Sequence, residues 1–192
     1  CKHLGRTDGT TIVHQFNKIH PYIRGYVARN ESKKLMILAF SGSKEMFSYV
    51  TDLRLFKKYY PKAVKGSRVH TGFAESYQAS RSEFYDTFSK ELESSRNTRI
   101  VIVGHSLGGA LANLAAEEFG RNPYYAARIE LYTYGQPRIG NKKFVKHFNK
   151  MQFKDVHRVT NGRDVIPVLL PKWWSYRNFN QEYYICPRTH ET

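Results

Sequence analysis

Residues 100–112, Ile-Val-Ile-Val-Gly-His-Ser-Leu-Gly-Gly-Ala-Leu-Ala, constrain the fold more than any other stretch of the chain. Ile100-Val101-Ile102-Val103 is a run of β-branched residues that ends at a turn signal, which predicts a short, fully buried strand. Gly104-His105-Ser106-Leu107-Gly108 then matches G-x-S-x-G, the pattern of a nucleophile elbow in which a strand reverses sharply into a helix. The serine at the apex takes a strained backbone conformation. Side chains on either side would collide there, so the flanking positions are Gly104 and Gly108. Residues 110–119 are rich in Ala and predict a helix whose first N–H groups point at the serine, where an oxyanion would form.

At 192 residues the chain is long enough to bury a real core, and a single domain over residues 1–192 is expected. No apolar run approaches the length of a membrane span. Cys1 and Cys186 lie at the two extremes. They could pair in an oxidising compartment, pair with cysteines elsewhere, or stay free. The chain begins at Cys1 rather than Met, the mark of a processed form or a piece of a longer protein. Asn30-Glu31-Ser32 is a glycosylation sequon and points toward secretion. Lys and Arg total 31 against 16 Asp and Glu, a net charge of +15. Such a balance suits an anionic partner, nucleic acid or an anionic membrane surface, or simply a solvated basic surface. No nucleic-acid motif is visible.

Along the chain, Thr10 to Val13 suggests a strand or a helix end. Tyr22 to Arg29 and Leu35 to Phe40 predict two strands of a hairpin around the turn-like Asn30-Glu31-Ser32. Met46, Phe47, Tyr49, Val50 and Leu53 fall at helical spacing and fit either a helix packed on the core or a mobile lid over an apolar pocket. The basic stretch Lys57 to Arg68, with Pro61 and Gly66, reads as a loop. Phe73, Tyr77, Phe84, Phe88 and Leu92 form one stripe of a long helix. Ile129 to Tyr134 and Val156 to Thr160 predict strands, Asn141 a helix cap, Trp173-Trp174 a loop, and Tyr183 to Ile185 a last short strand. Strands alternate with helices, so a mainly parallel central sheet with helices on both faces is expected.

In such a sheet the functional groups collect at the C-terminal ends of the strands. An elbow serine is followed in chain order by an acid and then a histidine. Glu117 and Glu118 lie along the elbow helix, Glu130 within or before its strand, and Asp155 at the wrong end of its strand. Asp164 follows a predicted strand by a few residues, in a loop stiffened by Pro167, and is the candidate acid. Its other reading is an Asx-type turn former. Only His190 follows Asp164, and it sits close to the C-terminus, where residues fray. His105 adjoins the serine on a sharp turn, so its side chain should diverge from it. His3, His14 and His20 precede the elbow. His70, His147 and His157 sit at a helix start, on a helix and at a strand opening. The candidate oxyanion donors are the Leu107 N–H and Ser43, in the loop Ser41-Gly42-Ser43 after an earlier strand.

With these pieces placed, the chain resembles the fungal-type class 3 lipases, a family that includes feruloyl esterases. Phe40-Ser41-Gly42-Ser43 is similar to the family's F-R-G-[ST] loop. Tyr49-x-x-Asp52-Leu53 is similar to W-x-x-D-L, and Val69-His70-Thr71-Gly72-Phe73 to V-H-x-G-F. Residues 104–109 read G-H-S-L-G-G, and residues 134–141 resemble [FY]-G-x-P-R-[VI]-G-N. Residues 158–167 resemble the segment that carries the family's catalytic Asp, and Glu182-Tyr183-Tyr184-Ile185 resembles E-Y-W-I.

The resemblance implies an α/β-hydrolase fold in one domain truncated at both ends. It implies Ser106 as nucleophile, Asp164 as triad acid, Ser43 and Leu107 as oxyanion donors, and residues 44–56 as a lid. It implies no metal and no organic cofactor. Ser41 replaces the family's usual Arg and Tyr49 its lid Trp. The family's catalytic His lies beyond the E-Y-W-I strand in an H-x-x-Y-type motif that His190 does not match, which leaves His190 as a fallback. Cys1 matches an N-terminal cysteine whose family partner often lies in that same later segment. The expected activity is a secreted serine ester hydrolase of the lipase type, working as a monomer on acyl glycerides at a lipid surface, an anionic membrane among the candidates, and not on nucleic acid. A phospholipase, a feruloyl-type esterase and a catalytically incomplete lipid-surface binder are the alternatives.

Overall fold

In the computed structural model, residues 7–18, 23–42, 57–60, 63–95, 98–179 and 181–186 are described. The β-branched run forms the middle of a seven-stranded sheet. Nine strands are named in chain order: β1 (Thr10–Lys18), β2 (Ile23–Asn30), β3 (Leu35–Phe40), β4 (Lys57–Tyr59), β5 (Arg68–His70), β6 (Arg99–His105), β7 (Ile129–Tyr134), β8 (Asp155–Asn161) and β9 (Tyr183–Ile185). The main sheet runs β1-β2-β3-β6-β7-β8-β9. β1, β2 and β3 pair antiparallel, and every later pairing, from β3–β6 to β8–β9, is parallel.

The register explains why the central strands are so apolar. Met36, Ile100 and Ile129 lie side by side, as do Leu38, Ile102 and Leu131, and all six are buried. Alternate residues point to opposite faces. Ile37, Val101, Val103 and Tyr132 on the other face are half-buried.

Four α-helices are named in chain order: α1 (Thr71–Ser94), α2 (Leu107–Phe119), α3 (Pro123–Ala126) and α4 (Lys142–Phe148). The predicted stripe on α1 is buried in full: Phe73, Tyr77, Phe84, Phe88 and Leu92. Phe84 packs with Phe16 and Phe40, with ring centroids 5.5 and 5.3 Å away, which joins α1 to β1 and β3. α1 meets α2 through Phe88 and Phe119, 4.9 Å apart, and through the Tyr77 hydroxyl, which donates to Glu118 at 2.7 Å. α2 meets α4 through Glu117 and His147, 2.9 Å apart. α1, α2 and α4 are thus linked to one another around the central helix α2. Asn141 caps α4 as expected, its side chain accepting from the Phe144 N–H at 3.0 Å.

Three local readings change. The Thr10–Val13 signal extends into a nine-residue edge strand, mostly polar, with Phe16 its buried contact. Within the basic stretch read as a loop, Lys57–Tyr59 pairs antiparallel with Arg68–His70. Asn30 of the sequon is buried, and its amide nitrogen already donates to the Asp8 carbonyl and to Thr10 Oγ1, each at 2.9 Å. It ties the β2–β3 turn to β1, so the sequon carries no argument for glycosylation. Cys186 is exposed and forms no disulfide among the described residues. Cys1, Ser43, His190 and the expected lid over 44–56 lie outside the described residues.

Candidate active site

β6 ends at His105 and α2 begins at Leu107, so a single residue, Ser106, makes the reversal. Its backbone sits at φ 56°, ψ −121°, and little of the residue is exposed. A non-glycine residue at positive φ stores strain, and such strain persists only where surrounding structure enforces it. Here the Ser106 N–H donates to the Tyr134 carbonyl at the end of β7 (2.9 Å). The Ser106 carbonyl accepts from the Gly109 (3.0 Å) and Ala110 (3.3 Å) N–H groups. The strand side and the helix side both hold the apex.

The motif glycines make close approaches that a side chain forbids. A β-carbon on Gly104 would lie 2.1 Å from the Gly108 carbonyl oxygen, so the helix start folds directly onto the strand end. One on Gly108 would lie 2.4 Å from the Phe40 carbonyl oxygen and 2.6 Å from that of Ser41. One on Gly42 would lie 2.9 Å from the His105 carbonyl oxygen and 3.3 Å from Ser106 Cβ. The backbone leaving β3 is thus stacked on the elbow, and the chain continues from Gly42 to Ser43. The Leu107 N–H belongs to the first turn of α2, whose donors have no acceptor within the helix.

Asp164 follows β8 by three residues. Its N–H donates to the Asn161 carbonyl (2.9 Å), and its Oδ1 accepts from the Ile166 N–H (2.9 Å). The second oxygen, Oδ2, lies 2.5 Å from where a β-carbon on Gly135 would be. Gly135 has φ 57° and donates to the Val159 carbonyl at 2.9 Å, which ties the ends of β7 and β8 together. His105 Nε2 lies 3.6 Å from the same Gly135 position, and His105 Nδ1 lies 3.0 Å from the corresponding point on Gly42. The imidazole therefore spans from the β3 exit to the neighbourhood of Asp164.

Arg138 braces the acid's loop from the far side. It is buried, and its guanidinium donates to the Val168 (2.6 Å) and Leu170 (3.1 Å) carbonyls. Burial, and after it the charges of Arg177 and Arg158, push its pKa below the ordinary value. Glu182 accepts from Arg158 and from Thr160 Oγ1, each at 2.9 Å, and fastens the approach to β9 onto β8. Burial raises its pKa, and the two hydrogen bonds with the Arg158 charge outweigh that and hold it low.

The other acids weighed from the sequence are engaged elsewhere. Glu117 is fully buried and bonded to Arg121 (3.0 Å to Nε) and His147, and Glu118 holds Tyr77 and Arg81. Glu130 is held by Arg99 and Lys154 at the opposite edge of the sheet, and Asp155 faces His157 at 2.8 Å. His70 is buried against the Phe73 ring, and His157 stacks on Tyr132. Ser106, Leu107 and Asp164 thus meet at one edge. Gly135 and Arg138 join them as supports that residue spacing alone did not single out, although both lie in the Tyr134–Asn141 motif. Among the described residues no group of three or more His, Cys, Asp or Glu side chains forms a metal site.

A strand–serine–helix reversal at the C-terminal edge of a mainly parallel sheet, with an acid beyond a later strand, defines an α/β-hydrolase. Within that class the assignment is narrower: residues 37–173 match the class 3 lipase family, to which this chain belongs. It is 29% identical over 194 residues to a lipase of Rhizomucor miehei, covering 100% of this chain and 53% of that protein. It is 32% identical over 163 residues to secreted mono- and diacylglycerol lipase 1 of Fusarium solani, covering 85% and 47%. The solved triacylglyceride lipase of Rhizomucor miehei superposes with a TM-score of 0.87 at 29% identity, covering 96% of this chain and 70% of that one. The chain spans about half the length of the two relatives matched by sequence.

Proposed function

We propose that the gene product is a serine carboxyl-ester hydrolase acting on acylglycerides, secreted like the Fusarium relative. Ser106 Oγ attacks the ester carbonyl while a histidine base takes its proton. The carbonyl oxygen, now an oxyanion, accepts from the Leu107 N–H and from Ser43. The histidine returns the proton to the departing alcohol, leaving an acyl-enzyme. Water, activated by the same base, releases the fatty acid and restores Ser106. Asp164 holds the base in the required tautomer through Oδ2, its Oδ1 being engaged by the Ile166 N–H. Each oxyanion donor is worth about 10²–10³ in rate.

The observation that carries this reading is the packing of residues 40–42 on the elbow through Gly42 and Gly108. It stacks the residues that precede Ser43 in the chain on the serine turn, a close approach that an ordinary Gly-rich turn has no reason to keep. The names of the Rhizomucor and Fusarium relatives support acylglycerides as the substrate class.

The test is intact-mass analysis of the full-length gene product after treatment with a fluorophosphonate. We expect one adduct, mapped to Ser106 and absent from Ser106→Ala, with diacylglycerol hydrolysis lost in the same variant. A folded protein that takes no label and releases no fatty acid overturns the reading in favour of an inert lipid-surface relative.

A further inference from the structure

Beyond Asp164 the chain turns outward and exposes apolar side chains. Val165 is 55% exposed, Val168 60%, Trp173 81% and Trp174 42%. These are the chain's two tryptophans. They sit on a short 3₁₀ turn, Lys172–Trp174, whose own packing leaves nothing buried. An exposed indole costs solubility and has no role in this core, so a surface contact is the physical reason to keep it.

Cations surround the turn. The Lys57 ammonium donates to the Trp174 carbonyl and lies 4.0 Å above the Tyr176 ring. Arg177 donates to the Lys172 carbonyl at 2.7 Å and to the Tyr176 carbonyl at 2.8 Å. Arg68 stands on β5, paired with Tyr59 of the strand that begins at Lys57. None of Lys57, Arg68, Lys172 and Arg177 forms an ion pair among the described residues. The crowding is felt: burial, then the charges of Arg68 and Arg177, lower the Lys57 pKa. The group keeps mutually repelling charges together, and among the described residues no carboxylate pairs with them.

We infer that the Trp173–Trp174 turn and its ring of Lys57, Arg68, Lys172 and Arg177 form a docking surface for an anionic phospholipid bilayer. Indoles settle at the headgroup level, where one edge is apolar and the other wet. Lysines and arginines beside them gain about 1 kcal/mol each from an anionic leaflet, roughly fivefold in affinity per cation. Aromatic and cationic groups also suit a single-stranded nucleic acid. The exposed aliphatic Val165 and Val168 in the same stretch stack on no base and favour acyl chains instead. The inference deepens the ester-hydrolase reading and rests on it in one respect: docking through this loop would bring the bilayer to the edge that carries Ser106.

The test is partitioning of the full-length protein onto phosphatidylglycerol-containing vesicles, set against pure phosphatidylcholine. Hydrolysis of a water-soluble short-chain ester is measured in parallel. The two tryptophans are the probe, since docking should shift their emission to the blue and expose them to brominated-lipid quenching. Trp173→Ser should lower partitioning about tenfold, and Lys172→Glu should lower it by at least about fivefold. Raising salt from about 0.05 to about 0.5 M should weaken binding to the anionic vesicles. Soluble-ester turnover should be unchanged in both variants. Equal partitioning of wild type and variants, equal binding to the two vesicle types, or retention by a single-stranded oligonucleotide in place of vesicles overturns the inference. Vesicle binding with these dependences in a protein that hydrolyses no soluble ester supports the docking surface and removes the catalytic reading instead.

Discussion

At Gly135 the Asp164 carboxylate occupies the space in which any other residue carries its β-carbon, and the backbone stands at φ 57°. A methyl group there must push Oδ2 away, because the backbone on both sides is pinned by the Gly135 and Ser106 N–H bonds. Left-handed strain adds about 1–2 kcal/mol. We therefore expect Gly135→Ala to lower kcat/KM for a soluble ester by at least about tenfold, since small misplacements of a catalytic group cost that much. The melting temperature should fall by only a few degrees. Circular dichroism and the ester assay on one preparation decide it; full activity would mean that Asp164 has no part in the reaction. The neighbouring residues show what was readable at this scale. Ser106, Gly104 and Gly108 are legible because the elbow is local, a β-branched run and two glycines within nine residues. Asp164 is legible because a general rule places functional groups after strand ends. Gly135 and Arg138 are not legible from spacing, since their partners lie some thirty residues away and only the packed structure brings them together. Asn30 misleads for the same reason: its triplet is local, and the contacts that bury it come from β1.

Strands and helices were readable wherever propensity and periodicity agree. The α1 stripe and the run of β6 are such cases. Elements defined by pairing rather than by pattern carry no such signal. The ribbon of β4 and β5 has three residues per strand and alternates nothing, so it exists only through its register. β1 is polar because it lies at the edge, where one flank and much of one face meet water. How the helices distribute over the faces depends on strand order, which no single segment encodes. One clamp between elements carries a measurable consequence. Glu130 on β7 accepts from Arg99 at the start of β6 (2.9 and 2.8 Å) and from Lys154 ahead of β8 (2.8 Å). Hydrogen bonding from Arg99 is the largest cause that lowers its pKa to about 2 from the usual 4.5, with burial opposing. A carboxylate whose folded pKa is depressed stabilises above its unfolded pKa, and that stability is lost as pH falls toward the folded value. The window is therefore pH 4.5 down to 2. Arg99 and Lys154 are half in water, which limits the gain to roughly 1–2 kcal/mol. Urea unfolding across that range should show wild type losing stability more steeply than Glu130→Gln, with the two curves converging near the acid end. Parallel curves would show that the clamp contributes nothing.

Over the whole molecule the surplus of positive charge, 31 against 16, works against compactness. Two electrostatic effects oppose each other here. Pairs such as Arg99–Glu130 and Arg81–Glu118 stabilise the fold and weaken in salt. Repulsion among the excess cations destabilises it and is also relieved by salt. The pairs are short-range and several are shielded by burial of their carboxylates, with side-chain exposures of 6% at Glu130 and 0% at Glu117. Screening reaches them poorly. The cations of the Lys57–Arg177 group are exposed or only partly buried and have no counter-charge among the described residues. Relief of repulsion should therefore win, and the melting temperature should rise by several degrees as sodium chloride goes from about 0.02 to about 0.3 M. Sulfate should raise it further, because a divalent anion can sit among the clustered cations as well as screen them. Differential scanning calorimetry in both salts checks this. A melting temperature that falls with salt would mean the buried pairs, not the basic surface, dominate the electrostatics of the fold. A gain from sulfate that vanishes in Lys172→Glu would locate part of the strain at the tryptophan turn.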